Sequence, residues 1–132
     1  MQVIKFANVI LQNESGEILV LRRTKDHPNR GLMPDLPGGT LEDGETYKQA
    51  AVRETFEETG INVGEKMLKL VFEKKVSSPN RPVSGKIYMV SVEKNQIDII
   101  LSWEHDQYRW SRPSNLIGFS YFHQEAFNYI FD

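Results

Sequence analysis

Apolar and polar positions along the chain fall into blocks that predict a short series of elements. Residues 3–11 and 17–23 are β-branched, apolar runs separated by "QNESG", whose polar residues and Gly16 predict a tight turn and an opening hairpin. Residues 18–21 are apolar without alternation, as expected of a strand covered on both faces. Residues 24–37, "TKDHPNRGLMPDLP", read as a long loop, and long loops in compact domains are often functional. Thr46 with Gln49 forms a capping-box pattern that starts a helix, and Gly60 stands where a glycine ends one. Val52, Thr55, Phe56 and Thr59 are its expected packing stripe. Residues 66–76 and 85–93 read as strands joined by "SSPNRPVS", and residues 97–103 as another. "EHDQ" then reads as a short connection, residues 108–110 as an edge piece and 113–116 as one helical turn. The closing helix spans residues 121–131, with Phe122, Ala126, Phe127 and Ile130 at helical spacing. This order implies an α/β fold with a mixed sheet held between helices.

Composition narrows the picture. A chain of 132 residues, 39% hydrophobic and 26% charged, fits one globular domain over residues 1–132. A net charge of −2 gives no basic field to draw it onto nucleic acid or a membrane surface. The absence of cysteine excludes disulfides, thiolate metal sites and cysteine nucleophiles, and suits a reducing cytoplasm. Lys5, Asn8, Gln12, Asn13 and Glu14 interrupt any signal-peptide core, and the longest aliphatic run, 18–21, is too short to span a bilayer. The expectation is a soluble cytoplasmic protein, monomer or homodimer.

The predicted helix carries one anomaly. With about 3.6 residues per turn, Glu54, Glu57 and Glu58 share one face near its C-terminal end. Glu54 and Glu58 are like charges at i,i+4, and the negative end of the helix dipole adds to their cost. Something cationic is expected on this face. Donors that are all oxygen select hard ions, chiefly Mg²⁺ or Mn²⁺, and Mg²⁺ usually shares its coordination with waters and substrate phosphates. Arg53 is the cation near this face, placed to pair with Glu57 or Glu45. A solvated acidic helix face would account for the triplet taken alone.

The triplet is not alone. Gly39, Glu45, Arg53, Glu54, Glu57, Glu58, Gly60 and Ile61 stand at every interval of a known signature: G, five residues, E, seven residues, then R-E-U-x-E-E-x-G-U, where U is bulky aliphatic. The stretch resembles the box of the Nudix (MutT-like) hydrolases, entered through "PGG" at residues 37–39. Thr55 in the first U position is the one departure; it is β-branched and close to Val in shape. The resemblance implies a Nudix-type α/β/α sandwich. It implies a metal held by Glu54, Glu57, Glu58 and the Gly38 carbonyl, with Glu104 added because it stands six residues before Trp110. Arg53 would orient Glu45 and its neighbours without touching the metal.

The implied activity is hydrolysis of a nucleoside diphosphate linked to another group, most simply a (deoxy)nucleoside triphosphate. Water attacks phosphorus, and Glu54 or Glu104 is the candidate base. Arg23, with Arg22 beside it, is the implied nucleotide contact, and a surface role explains both equally well. Lys25, His27 and Arg30 would gather phosphates or simply be solvated. His105 reads as a polar surface residue, and His123 as lying at the start of the last helix. Trp103, Tyr108 and Trp110 are stacking candidates that packing also explains. Two other readings compete: a silent Nudix domain that binds a nucleotide as a sensor, and an enzyme that removes the 5′ diphosphate of RNA. The acidic balance disfavours the second. Substrate choice is expected in loops 24–37 and 77–84, and "GLMPD" lacks the tryptophan common at that place in relatives.

Overall fold

The computed structural model describes residues 3–28, 31–77 and 81–131. The expectation for Arg30, and part of that for loop 77–84, lies outside them. The elements are β1 (Ile4–Gln12), β2 (Ile18–Arg23), β3 (Pro34–Asp35), β4 (Gly38–Thr40), α1 (Tyr47–Thr59), β5 (Lys69–Val76), β6 (Val83–Ser91), β7 (His105–Ser111) and α2 (Tyr121–Phe131). Single 3₁₀ turns fall at Glu65–Met67, Lys94–Gln96 and Pro113–Asn115.

Among the described residues these strands form one mixed sheet in the order β3-β2-β1-β6-β5, with β4 beside β1 and β7 beside β2. β1 and β6 run parallel from Ile4↔Val83 to Gln12↔Ser91, and the other pairings are antiparallel. The sheet lies between the helices. On the α1 side Ala7, Val9, Leu11, Leu19 and Leu21 pack with Ala50 and Ala51. On the α2 side Ile10, Ile18, Val20 and Ile87 pack with Ala126 and Phe127. Residues 18–21 alternate between these two cores, which is why their sequence shows no polar face.

Several expectations need correction. The opening hairpin survives only at its base, Gln12↔Ile18. Beyond that pair β1 takes β4 through Phe6↔Thr40 to Asn8↔Gly38, while β2 turns to β7 and β3. β4 and β2 thus share β1 as a neighbour, and residues of all three strands line the cleft. Residues 97–103 form no strand. Ile97, Ile99 and Leu101 pack on the α1-side core and Ile100 is exposed, so the alternation is real, but no neighbouring strand pairs with it. The ladder lies one step later: β7 contains the expected edge piece 108–110 and begins earlier, at His105 within "EHDQ". Of the expected stripe on α1, Val52, Thr55 and Thr59 pack, Phe56 is half exposed, and Ala50 and Ala51 complete the buried face.

α1 carries the ends its sequence promised. The Thr46 hydroxyl accepts from Gln49 N–H at 3.1 Å, and the Gln49 side chain accepts from Thr46 N–H at 2.9 Å. Gly60 is left-handed at φ 74° and closes the last turn by donating to Phe56 O. Ile100 N–H then caps the Thr59 carbonyl at 2.8 Å.

Candidate active site

β4 fits between β1 and α1, and the absence of side chains at Gly38, on the β1 side, and Gly39, on the α1 side, permits this. A Cβ on Gly39 would lie 2.6 Å from Glu54 Oε1, and Gly38 has φ 148° with the backbone of β1 against it. The Gly38 N–H donates to Glu58 Oε1 at 3.0 Å.

Arg53 organises the neighbouring carboxylates. Nε and Nη2 donate to the two Glu45 oxygens at 2.7 and 2.9 Å, and Nη1 donates to Glu54 at 2.9 Å and Glu57 at 3.3 Å. The Glu45 pairing holds that carboxyl below its ordinary range and raises the guanidinium. Arg53 is spent on protein acids and on the Thr40 carbonyl.

A cavity of about 410 Å³ opens beside these groups. Glu54, Glu58, Glu104, Arg23, His27 and Asp35 line one part, and Phe6, Asn8, Phe122 and His123 another. Glu58 is 3% exposed. Burial pushes its carboxyl up to about 9, with the charges of Glu54, Asp35 and Glu104 adding to the rise and the Gly38 N–H opposing it. Burial also raises Glu54, against the pull of Arg53. Glu58 is thus a buried carboxyl among other acids, while Glu54 is partly compensated by Arg53.

The other expected residues divide. Glu57 is half exposed, pairs with Arg53 and does not line the cavity. Glu104 faces the cavity with its Oε2 3.3 Å from His27 Nε2. Arg23 reaches the cleft, where it pairs with Asp35. Arg22 points from the opposite face of β2 and is bound to Asp106 by two contacts of 2.9 Å, so it is not brought to the cleft. Lys25 is exposed outside the lining. Trp103 is exposed and lies near the His27 ring, Tyr108 is half exposed, and Trp110 packs on the core. His105 is not a surface residue. Its side chain has no exposure, and its Nε2 lies 3.0 Å from Asp35.

Asp35 and Asn8 are cavity residues with no expected role, and His123, expected only at the start of the last helix, joins them. His123 Nε2 lies 3.1 Å from Asn8 Oδ1, and burial lowers the imidazole to about 4, so it is neutral at pH 7. One signal was available: Asn8 is a polar residue inside the apolar run "FANVIL", which calls for a buried partner.

A divalent cation fits this donor set. The groups are all oxygen, and they include a buried carboxyl destabilised by its neighbours. Among the described residues no three His, Asp or Glu side chains form a ready-made ion cage.

Fold and site together define an α/β/α sandwich whose cleft draws its carboxylates from one capped helix, from β3 and from a later loop. Residues 4–130 match the NUDIX domain, and the chain belongs to the Nudix family. It is 52% identical over 56 residues to a putative 8-oxo-dGTP diphosphatase of Bacillus subtilis, covering 42% of this chain and 34% of that protein. It is 43% identical over 61 residues to the 8-oxo-dGTP diphosphatase of Escherichia coli, covering 46% of each. These matches thus span less than half the length of either relative. The crystal structure of a MutT protein from Methanosarcina mazei superposes with a TM-score of 0.80 at 25% identity, covering 96% of this chain and 91% of that one. Nudix hydrolases generally use divalent metals. No helix among the described residues is long and apolar enough to cross a membrane.

Proposed function

We propose that the chain is a divalent-metal-dependent pyrophosphatase of (deoxy)nucleoside triphosphates, releasing a nucleoside monophosphate by attack of water on phosphorus. The observation that carries this reading is the meeting of Glu54, Glu58 and Glu104 with Arg23 around one cavity beside Gly38. Mg²⁺, or Mn²⁺ in its place, would be held by Glu54, Glu57, Glu58, Glu104 and the Gly38 carbonyl, and would neutralise the diphosphate and acidify a bound water. Such chemistry needs positioning and charge stabilisation and no protein nucleophile. Arg23 supplies the cation for the substrate's phosphates. Arg53 holds Glu54 and Glu57 at their stations through Glu45. Glu54 or Glu104 takes the water's proton, a contribution of ~10² to 10⁴ in rate. The substrate is a small free nucleotide, and the absence of cysteine accords with work in the cytoplasm.

The names of the B. subtilis and E. coli relatives make 8-oxo-dGTP the first substrate to try. The test is a hydrolysis screen with Mg²⁺ across normal and oxidised nucleoside triphosphates, nucleotide sugars, ADP-ribose and dinucleoside polyphosphates, comparing wild type with Glu57→Gln. The variant is expected to fold and to lose about 10² in rate or more. Turnover that survives Glu57→Gln overturns the site. Tight nucleotide binding without turnover, unchanged by Glu57→Gln, favours the sensor reading.

A further inference from the structure

Asp35 is a buried carboxylate to which the family signature gives no part. It ends β3, pairs with Leu21 of β2 and faces the same cavity as Glu54, Glu58 and Glu104. Donors crowd it: Arg23 Nε at 3.2 Å, Arg23 Nη2 at 3.3 Å, His105 Nε2 at 3.0 Å and the Leu36 N–H at 2.9 Å. Burial alone would raise this carboxyl, but the bonds from His105 and Arg23 outweigh it and keep Asp35 ionised. An ionised carboxylate only accepts, so His105 Nε2 carries the proton. Arg23 and His105 are themselves partners across the β2–β7 ladder, so the strands that present Arg23 also present the brace for its counter-ion.

A cleft that must take an anionic phosphate gains nothing obvious from an anion on its wall. Its use lies in what Arg23 would otherwise do. A guanidinium beside three carboxylates in a half-buried cleft is strongly attracted to them. On any of them it would occupy oxygens that a divalent cation needs. Asp35 offers a two-point seat instead, the geometry a guanidinium prefers.

We infer that Asp35, braced by His105, is a positioning residue that holds Arg23 on the cleft wall and so keeps Glu54, Glu58 and Glu104 available to a divalent cation. The inference rests on the pyrophosphatase reading for the place of that cation.

The experiment is calorimetric titration of Mg²⁺ into wild type, Asp35→Asn, Arg23→Gln and the double variant, with nucleotide turnover measured separately. Asp35→Asn is expected to weaken Mg²⁺ binding about fivefold or more, because a loosened Arg23 competes for the glutamates. Adding Arg23→Gln is expected to bring Mg²⁺ binding back to within about twofold of wild type. A merely structural role for Asp35 gives no such rescue. Should Asp35→Asn fail to fold, His105→Gln loosens the same brace and is expected to weaken Mg²⁺ binding in the same direction, again relieved by Arg23→Gln. Unchanged Mg²⁺ affinity, or weakness that Arg23→Gln does not relieve, overturns the inference. Wild type that binds Mg²⁺ but hydrolyses no nucleotide removes the pyrophosphatase reading and leaves the cation result standing. Wild type that hydrolyses nucleotides while Asp35→Asn binds Mg²⁺ normally removes this inference alone, and wild type that binds no Mg²⁺ removes both.

Discussion

Arg53 grips Glu45 with two hydrogen bonds, Nε to Oε2 at 2.7 Å and Nη2 to Oε1 at 2.9 Å, and reaches Glu54 with its remaining nitrogen at 2.9 Å. One planar group thereby ties the loop before α1 to the carboxylates on it. An ammonium is a point charge and cannot span the same three oxygens. Arg53→Lys is expected to lower kcat/KM by about 10 to 100-fold, as supporting residues around metal sites typically do. Steady-state kinetics beside a thermal melt separate this from unfolding.

Glu58 predicts a pH dependence of stability in the metal-free protein. Its carboxyl is pushed up to about 9 from an ordinary 4.5 by burial and by neighbouring acids. Between those values the folded state binds more protons than the unfolded state, so stability falls as pH rises through that window. Glu54 is raised by burial as well and acts in the same sense. Melting in a chelating buffer is expected at a lower temperature at pH 9 than at pH 6. Glu58→Gln should flatten the trend, and Mg²⁺ should oppose it. A wild-type profile that is level over this range contradicts the assignment of Glu58 as buried and uncompensated.

Gly39 has a sharper consequence. A methyl group there would stand 2.6 Å from Glu54 Oε1, so either the carboxylate or β4 must move. Misplacement by about 1 Å near the reacting groups costs about 10² in rate. Gly39→Ala is expected to lose activity on that scale and to bind Mg²⁺ more weakly, and circular dichroism should still show the native fold.

Removing the start of α1 is a test of stability alone. Thr46→Ala deletes one half of the capping box. A loss of about 1 kcal/mol is expected in urea unfolding, with kcat almost unchanged in the folded protein. A large fall in kcat would mean that the cap also sets the geometry of the glutamates.

The legible part of this protein was local. The helix, its two caps and the spacing of Glu54, Glu57 and Glu58 depend on neighbours a few residues apart, so the sequence displays them directly. Relations across the chain were hidden. Asn8 meets His123 over 115 positions, and Asp35 meets His105 over 70, with nothing in either stretch naming the other. The strand placed at 97–103 failed for a related reason. Alternation reports which side of a segment is covered, and it is silent on whether another backbone lies alongside. β7 reads short in the sequence, as 108–110 alone, because four of its seven residues are exposed and no apolar rhythm marks its start.

The helix bearing the glutamates is fastened at both ends, by Thr46 and Gln49 at its start and by Gly60 and the Ile100 N–H at its finish. A ruler clamped in this way cannot slide or unwind to suit a different cargo, and its graduations stay at one turn's separation whatever lies opposite. A change of cargo is therefore expected to be written on the rim, where loops can lengthen or trade residues without disturbing the gauge.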